Sequence, residues 1–409
     1  MVEADDDRST YASSGPGENF PEIYEELPQD VSHEAVRNVV LEEESASPQH
    51  PASMENLPEE LLSNIFIRLL AKQLAQMRSV SKSWNALLSH SSFIKSHLHH
   101  SIHNNDQVLL LFHYKGKYAY ESKLFTAKPT QSPDLELADF IKLPPAESKY
   151  TRGIRIIGSV NGLICSSNKT NIWNPSLSAV LTLPPYSIPR DDDGRIKIFF
   201  RFGYDPKTDD YKVVKLTRPT KYADKWYPQV EIYSMRKGSW ELITERFPTH
   251  ITNMKDCECV CVDGHDGHLH WLGCTAEYRR MVVAFDLGSE TFYEIPLPLS
   301  TFDEDTRLLR LAGKLCLMSW SRDHAYAVWV MEDESWAKRH VFSQFMGSRT
   351  YPLGITSHNQ FLIESNYVNI VVYDPSTNEQ KVMENQHDNA DRIVEYVDSL
   401  VWVPSLSLV

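Results

Sequence analysis

The sequence predicts a small all-α module followed by an all-β, propeller-like domain of about six blades. Three observations carry that reading. The only dense helical periodicity lies between residues 54 and 103. From residue 104 to the end at 409, short apolar segments alternate with Gly, Asn, Asp and Pro turns, which is the punctuation of strands. From Val283 to Val328 to Val371 the segments step by 43–45 residues, within the range of one four-stranded blade.

Ahead of both regions, residues 1–53 are rich in Asp, Glu, Ser and Pro and lack an aliphatic cluster, the composition of a disordered acidic tail. Residues 1–50 hold thirteen acidic side chains against two arginines, so −11 of the total charge of −14 belongs to the tail and only −3 to the rest. A nearly neutral folded region offers no basic face for phosphate neutralisation, so nucleic acid is not an expected partner. There is no run of eighteen apolar residues and no basic-then-apolar leader, so neither a membrane nor secretion is expected. Six cysteines without a framework of spacings fit a reducing compartment, cytoplasmic or nuclear.

In the helical region, Pro58 suits a first turn, where its missing N–H is not needed. Leu61, Leu62, Ile65, Phe66, Leu69 and Leu70 follow at helical spacing. A second short helix is expected to carry Leu74, Met77 and Val80. Ser81 is the expected N-cap of a third, with Trp84, Leu87 and Leu88 facing inward. Ser91 and Ser92 are expected to cap a final turn with Phe93, Ile94 and Leu98. With Ile67 added, apolar residues occupy a wider stripe on the first helix than a surface helix needs. A module of about 45 residues also supplies little core of its own. The surplus is expected to face another chain, with packing on the β-domain as the alternative.

The β-region repeats two elements. One is a turn after a small-polar–Gly pair or its like, leading into an apolar strand: NGLIC (161–165), DGHLHWLG (266–273), AGKLCLMSW (312–320) and HNQFLIES (358–365). The other is a strand, a polar turn and a second strand: IWNPSLSAVLTLP (172–184), VEIYSMRKGSWELI (230–243), VAFDLGSETFYEIP (283–296), VWVMEDESWAKR (328–339) and VVYDPSTNEQKVM (371–383). FGYDPKTDDYKVV (202–214) supplies the hairpin ahead of 230–243. The opening piece 107–125 and the final piece VDSLVWV (397–403) each lack a partner. Together they are expected to close the ring and leave no open sheet edge. A kinked β-sandwich array is the competing architecture.

LPEELLSNIFIRLL (57–70) followed by RSVSKSWNALLSHSSFIKSHL (78–98) resembles the F-box, and the strand motifs downstream resemble the plant F-box-associated, kelch-like domain. The resemblance covers about residues 55–405. It implies a non-catalytic substrate receptor of a Skp–cullin–F-box ubiquitin ligase, without cofactor. The F-box would dock on the Skp adaptor, and through it on cullin and RING subunits, while the β-domain holds a protein target. Carried over position by position, the adaptor-facing residues would be Leu57, Pro58, Leu61, Leu62, Ile65, Leu69, Leu74, Val80 and Trp84. Where the family usually has proline, this chain has Leu70, which is expected to lengthen or loosen the turn after the first helix. Target contacts are expected on loops 186–196, 217–229, 247–256 and 300–307.

Other candidates have simpler readings. Cys257, Cys259 and Cys261 would share one face of a strand. Extended spacing of roughly 7 Å suits small apolar core residues better than one zinc ion, despite His265, His268 and His270 nearby. Asp191–Asp193 and Asp303–Asp305 read as solvated loops, with an acidic rim for a basic target as the second reading. No phosphate-binding loop, nucleophile elbow or zinc-protease motif occurs. A propeller enzyme or lectin is the alternative function.

Overall fold

The computed structural model describes residues 57–104, strands at 108–113 and 123–127, and residues 156–401 apart from 167–169, 187–195, 220–227, 256–265, 299–305, 312, 321–324, 344–349, 357–358, 366–368 and 384–389. Leu57–Val409 form one compact unit. Among the described residues no helix is long and apolar enough to cross a membrane.

Four helices come first: α1 (Glu59–Phe66), α2 (Ala71–Met77), α3 (Lys82–Ser89) and α4 (Ser91–His103). Pro58 precedes α1, and its carbonyl accepts from Leu61 and Leu62. α1 stops earlier than its apolar spacing suggests. Arg68 N bonds Ile65 O and Leu69 N bonds Phe66 O, the tight turns in which helices commonly end. Leu69 and Leu70 therefore lie in a turn, and Val80 lies beyond α2. Ser81 caps α3 as its position suggests, its Oγ accepting from Trp84 N at 3.2 Å. The last helix differs from expectation: it runs thirteen residues, and His90, not Ser91 or Ser92, caps it through Nδ1.

Strands β1 (Val108–His113) and β2 (Lys123–Ala127) follow. β3 (Ile156–Val160), β4 (Leu163–Ser166), β5 (Asn171–Asn174) and β6 (Ala179–Thr182) form an antiparallel sheet. β7 (Ile196–Asp205), β8 (Asp210–Pro219), β9 (Gln229–Ser234) and β10 (Ser239–Leu242) form the next. β11 (Ile251–Lys255), β12 (His268–Thr275), β13 (Arg280–Asp286) and β14 (Thr291–Pro296) form a third. β15 (Arg307–Leu311), β16 (Lys314–Trp320), β17 (Ala325–Glu332) and β18 (Ser335–Ser343) form a fourth, and β19 (Thr350–Ile355), β20 (Phe361–Ser365), β21 (Asn369–Asp374) and β22 (Glu379–Met383) a fifth. β23 (Ala390–Tyr396) returns to β1, giving a three-stranded sheet in the order β2–β1–β23.

Neighbouring sheets touch through β3 and β7, β7 and β12, β12 and β15, and β15 and β19, with β23 touching both β19 and β3. The domain is a propeller. Two expectations are corrected. Five blades are complete among the described residues, not about six, because the opening segment brings only β1 and β2 to the remaining sheet. The strand that closes this sheet is Ala390–Tyr396, and residues 397–401 are not strand.

The apolar content is high because inner sheets are covered on both faces. In the second sheet Phe202, Val213 and Tyr233 pack against the first, whereas Val214, Leu216, Val230 and Ile232 pack against the third. Alternate residues of one strand thus serve two cores. The hairpin turns repeat a device of their own. Asn174, Asp205, Ser234, Asp286 and Asp374 each accept a backbone N–H two or three residues on. Side chains of this kind mimic a backbone turn. Four residues after each comes one with positive φ: Ser178, Asp209, Gly238, Glu290 and Asn378.

Candidate functional site

α1 carries two apolar stripes. Leu62 and Phe66, one turn apart, are buried, and Phe66 meets the Trp84 ring edge-on at 5.0 Å between centroids. Ala71, Leu74, Leu88 and Phe93 join this core. Leu61 and Ile65, also one turn apart, point the other way with relative exposures of 50% and 41%. Leu57 precedes them at the same spacing at 36%. Leu70 and Val80, flanking α2, are 58% and 60% exposed.

The nine residues expected to face an adaptor therefore divide. Leu57, Pro58, Leu61, Ile65 and Val80 are exposed, Leu69 is half-buried, and Leu62, Leu74 and Trp84 lie in the module's own core. Spacing could not separate these sets, because on an eight-residue helix both stripes have the same period. Beside Pro58 opens a groove of about 950 Å³, lined by Glu59, Glu60 and Ser63 on one side and Leu87, Ser92 and Phe93 on the other.

The turn at Leu70 is not loosened by the missing proline. Leu70 has φ −65° and ψ 143°, within the range a proline ring imposes. Its free N–H donates to Gln73 Oε1 at 3.1 Å. From the other side, His97 Nε2 donates to Leu69 O at 2.9 Å.

Part of the apolar surplus does pack on the propeller. Leu400 is fully buried in the helical core, and Leu177 of the β5–β6 turn lies against it. Lys95 of α4 pairs with Asp209 of the β7–β8 turn at 2.7 Å, and Asp209 also accepts from Tyr204 at 2.6 Å. Those hydrogen bonds hold the Asp209 carboxyl below the usual carboxylate range. The helices thus sit at the edge bearing the β5–β6 and β7–β8 turns. Antiparallel order puts the other ends of these strands, at Thr182, Ile196, Pro219 and Gln229, on the opposite edge. The expected loop 247–256 is corrected: residues 251–255 form strand β11, and only its start at Ile251, paired with Thr275, lies on that edge. The strand end before 300–307 lies there too, at Pro296, which pairs with Met281. Residues 187–195, 220–227, 256 and 300–305 of the expected target loops lie outside the described residues.

Cys257, Cys259, Cys261 and His265, and both carboxylate runs, also lie outside them. Among the described residues no group of three or more His, Cys, Asp or Glu is placed to hold a metal. His268 Nδ1 bonds the Tyr293 hydroxyl at 3.2 Å, and buried His270 receives Arg201 Nε on its carbonyl at 3.3 Å. One pair the sequence did not point to is Lys215 and Glu231. They face each other across β8 and β9, both buried, with Lys215 Nζ bonded to Glu231 and lying 4.2 Å from the Tyr186 ring centroid. Burial pushes the Lys215 pKa down, against the pull of Glu231.

A small helical module mounted on one edge of a β-propeller defines the class. Comparison with known proteins agrees: an F-box-like model matches residues 54–99 and the F-box associated beta propeller domain matches residues 107–404. The chain belongs to the F-box proteins with an F-box-associated β-propeller. Similar proteins include F-box protein CPR1 of Arabidopsis thaliana, 28% identical, the match covering 70% of this chain and 72% of that one. F-box protein At4g22390 of the same plant is 27% identical over 70% of this chain and 73% of its own. F-box/kelch-repeat protein At3g23880, also from Arabidopsis thaliana, is 24% identical over 70% and 79%.

Proposed function

We propose that this chain is the substrate-recognition subunit of a Skp–cullin–F-box ubiquitin ligase. The observation that carries the reading is the outer stripe Leu57, Leu61 and Ile65, flanked by exposed Leu70 and Val80. Single exposed leucines are ordinary. A row at four-residue spacing on a module whose inner stripe is already packed is what a protein partner with an apolar surface covers. In this reading Leu57, Pro58, Leu61, Ile65 and Val80 contact a Skp-type adaptor, which links to cullin and RING subunits. Leu62, Leu74 and Trp84 hold the stripe in shape from behind.

The mechanism is proximity. The propeller binds a protein target at the edge opposite the helices, and the assembled ligase holds a target lysine near a ubiquitin-charged conjugating enzyme. Raised effective concentration, not bond chemistry in this chain, accelerates transfer. No residue here is assigned a catalytic role, and no cofactor is required. The three-stranded sheet β2–β1–β23 joins the first strands of the β-domain to its last, which closes the ring. The compartment is cytoplasmic or nuclear, in keeping with the free thiols of Cys274 and Cys316.

Proximity labelling with and without proteasome inhibition tests the receptor role. Labelled proteins should accumulate on inhibition with the wild-type chain and also accumulate, without inhibition, with Leu61→Asp. If no labelled protein changes abundance in either comparison, the receptor reading fails.

A further inference from the structure

The five residues after β23 are extended in sequence pattern, yet they pair with no strand. They cross instead from the propeller to the helical module. Asp398 Oδ2 accepts the Ala71 N–H at 2.6 Å, one of the first-turn amides that α2 cannot satisfy by itself. Two residues on, Leu400 is fully buried in the core formed by Leu62, Phe66, Leu74 and Trp84.

The segment is clamped on its propeller side. Asn174 Nδ2 donates to Ser399 O at 3.0 Å and Val401 O at 2.7 Å. The Ser176 hydroxyl bonds both Asp398 Oδ1 and the Tyr396 hydroxyl. The β3–β4 turn leaves room only for glycine: Gly162 has φ +81°, and a Cβ there would lie 2.3 Å from Ser399 Cβ and 2.7 Å from Val397 O. Such a residue is strained both by its backbone and by the clash. Two blade turns thus hold a short strap, and the strap presents one carboxylate and one leucine to the helices.

We propose that residues 397–401 are a strap by which the propeller sets the position of α2, with Asp398 as a positioning residue for docking of the adaptor. This rests on the docking reading above. Val80 follows α2, so a shift of α2 displaces an exposed member of the docking face, together with exposed Leu70 at the helix's other end. Target-binding and adaptor-binding domains then act as one rigid body, which fixes the reach from target lysine to conjugating enzyme.

The test uses the full chain with a recombinant Skp-type adaptor, reading amide exchange and adaptor affinity together. Asp398→Ala is expected to speed exchange of residues 71–77 about tenfold, the effect of losing one helix cap, and to weaken the adaptor by a similar factor. Exchange in β12 and β13 should not change. Asp398→Asn keeps an acceptor oxygen and should restore most of both, and it carries the test if the alanine variant does not fold. Lys95→Ala, which removes an exposed ion pair at the same boundary, should leave 71–77 unaltered. Unchanged exchange at 71–77, equal acceleration in β12 and β13, or unchanged affinity despite faster exchange would each overturn the proposal. Absence of adaptor binding by the wild-type chain sinks the docking reading and the positioning role with it. The exchange data would still report whether the strap holds α2.

Discussion

Leu70 shows how a residue other than the expected proline can hold the turn after α1. Its backbone keeps an angle proline could adopt, and Gln73 uses the N–H that proline lacks. An exposed hydrogen bond lost and chain entropy gained nearly cancel. Leu70→Pro is therefore expected to alter stability by less than about 1 kcal/mol in urea denaturation, and a larger loss would show that Gln73 holds the turn. Trp84 is different in kind, because it is buried against Phe66. Trp84→Ala should cost about 3–5 kcal/mol, seen as loss of protected helix amides. It would abolish docking by unfolding the module, not by trimming the interface. Ser81 was legible as a cap because its residue type announces the role, whereas His90 was not, since histidine rarely caps a helix. The division of Leu62, Leu74 and Trp84 from Leu61 and Ile65 needed the structure, because only tertiary packing decides which of two equal stripes turns inward.

Strands and turns were legible where local chemistry repeats. The Asn, Asp and Ser residues that open the hairpin turns, with a positive-φ residue four positions on, give the blades their shared sequence texture. Closure was less legible. VDSLVWV alternates like a strand, but Asp398 and Leu400 serve the helices. Nor does spacing show that Lys215 and Glu231 meet across β8 and β9, because each looks like an ordinary outward-facing residue of a strand. Glu231→Ala would leave a buried ammonium without its carboxylate partner, and about 3 kcal/mol of stability should be lost. A loss below about 1 kcal/mol in denaturant titration would contradict that. Glu290 ties the second and third blades together, receiving Arg246 at 2.8 Å and Lys212 at 3.2 Å. Burial alone would raise its pKa, but those hydrogen bonds outweigh it and hold the carboxyl below its ordinary range. Its contribution is thus complete above the unfolded-state value of about 4.3 and is lost as pH falls through the lower folded value. The urea midpoint of the wild-type chain should fall more steeply below about pH 4.3 than that of Glu290→Gln; parallel curves would contradict the assignment.

At the scale of the whole molecule, the order of the parts carries the function. A helical module with an exposed outer stripe is fixed to one edge of a propeller, and strand ends beside the segments expected to meet a target lie on the other. This arrangement followed from the sequence in outline, since helical and strand periodicities occupy separate stretches. The attachment between them did not, because it depends on residues more than 300 positions apart, Ala71 and Asp398 among them. Capture of a Skp-type adaptor by the purified chain decides whether the outer stripe is the docking face. The wild-type chain is expected to retain the adaptor. Leu61→Asp and Ile65→Asp, at exposed positions that leave the core intact, should lose it at least a hundredfold while keeping the wild-type thermal transition. Equal retention by wild type and both variants, or no retention by the wild-type chain, would contradict the docking reading.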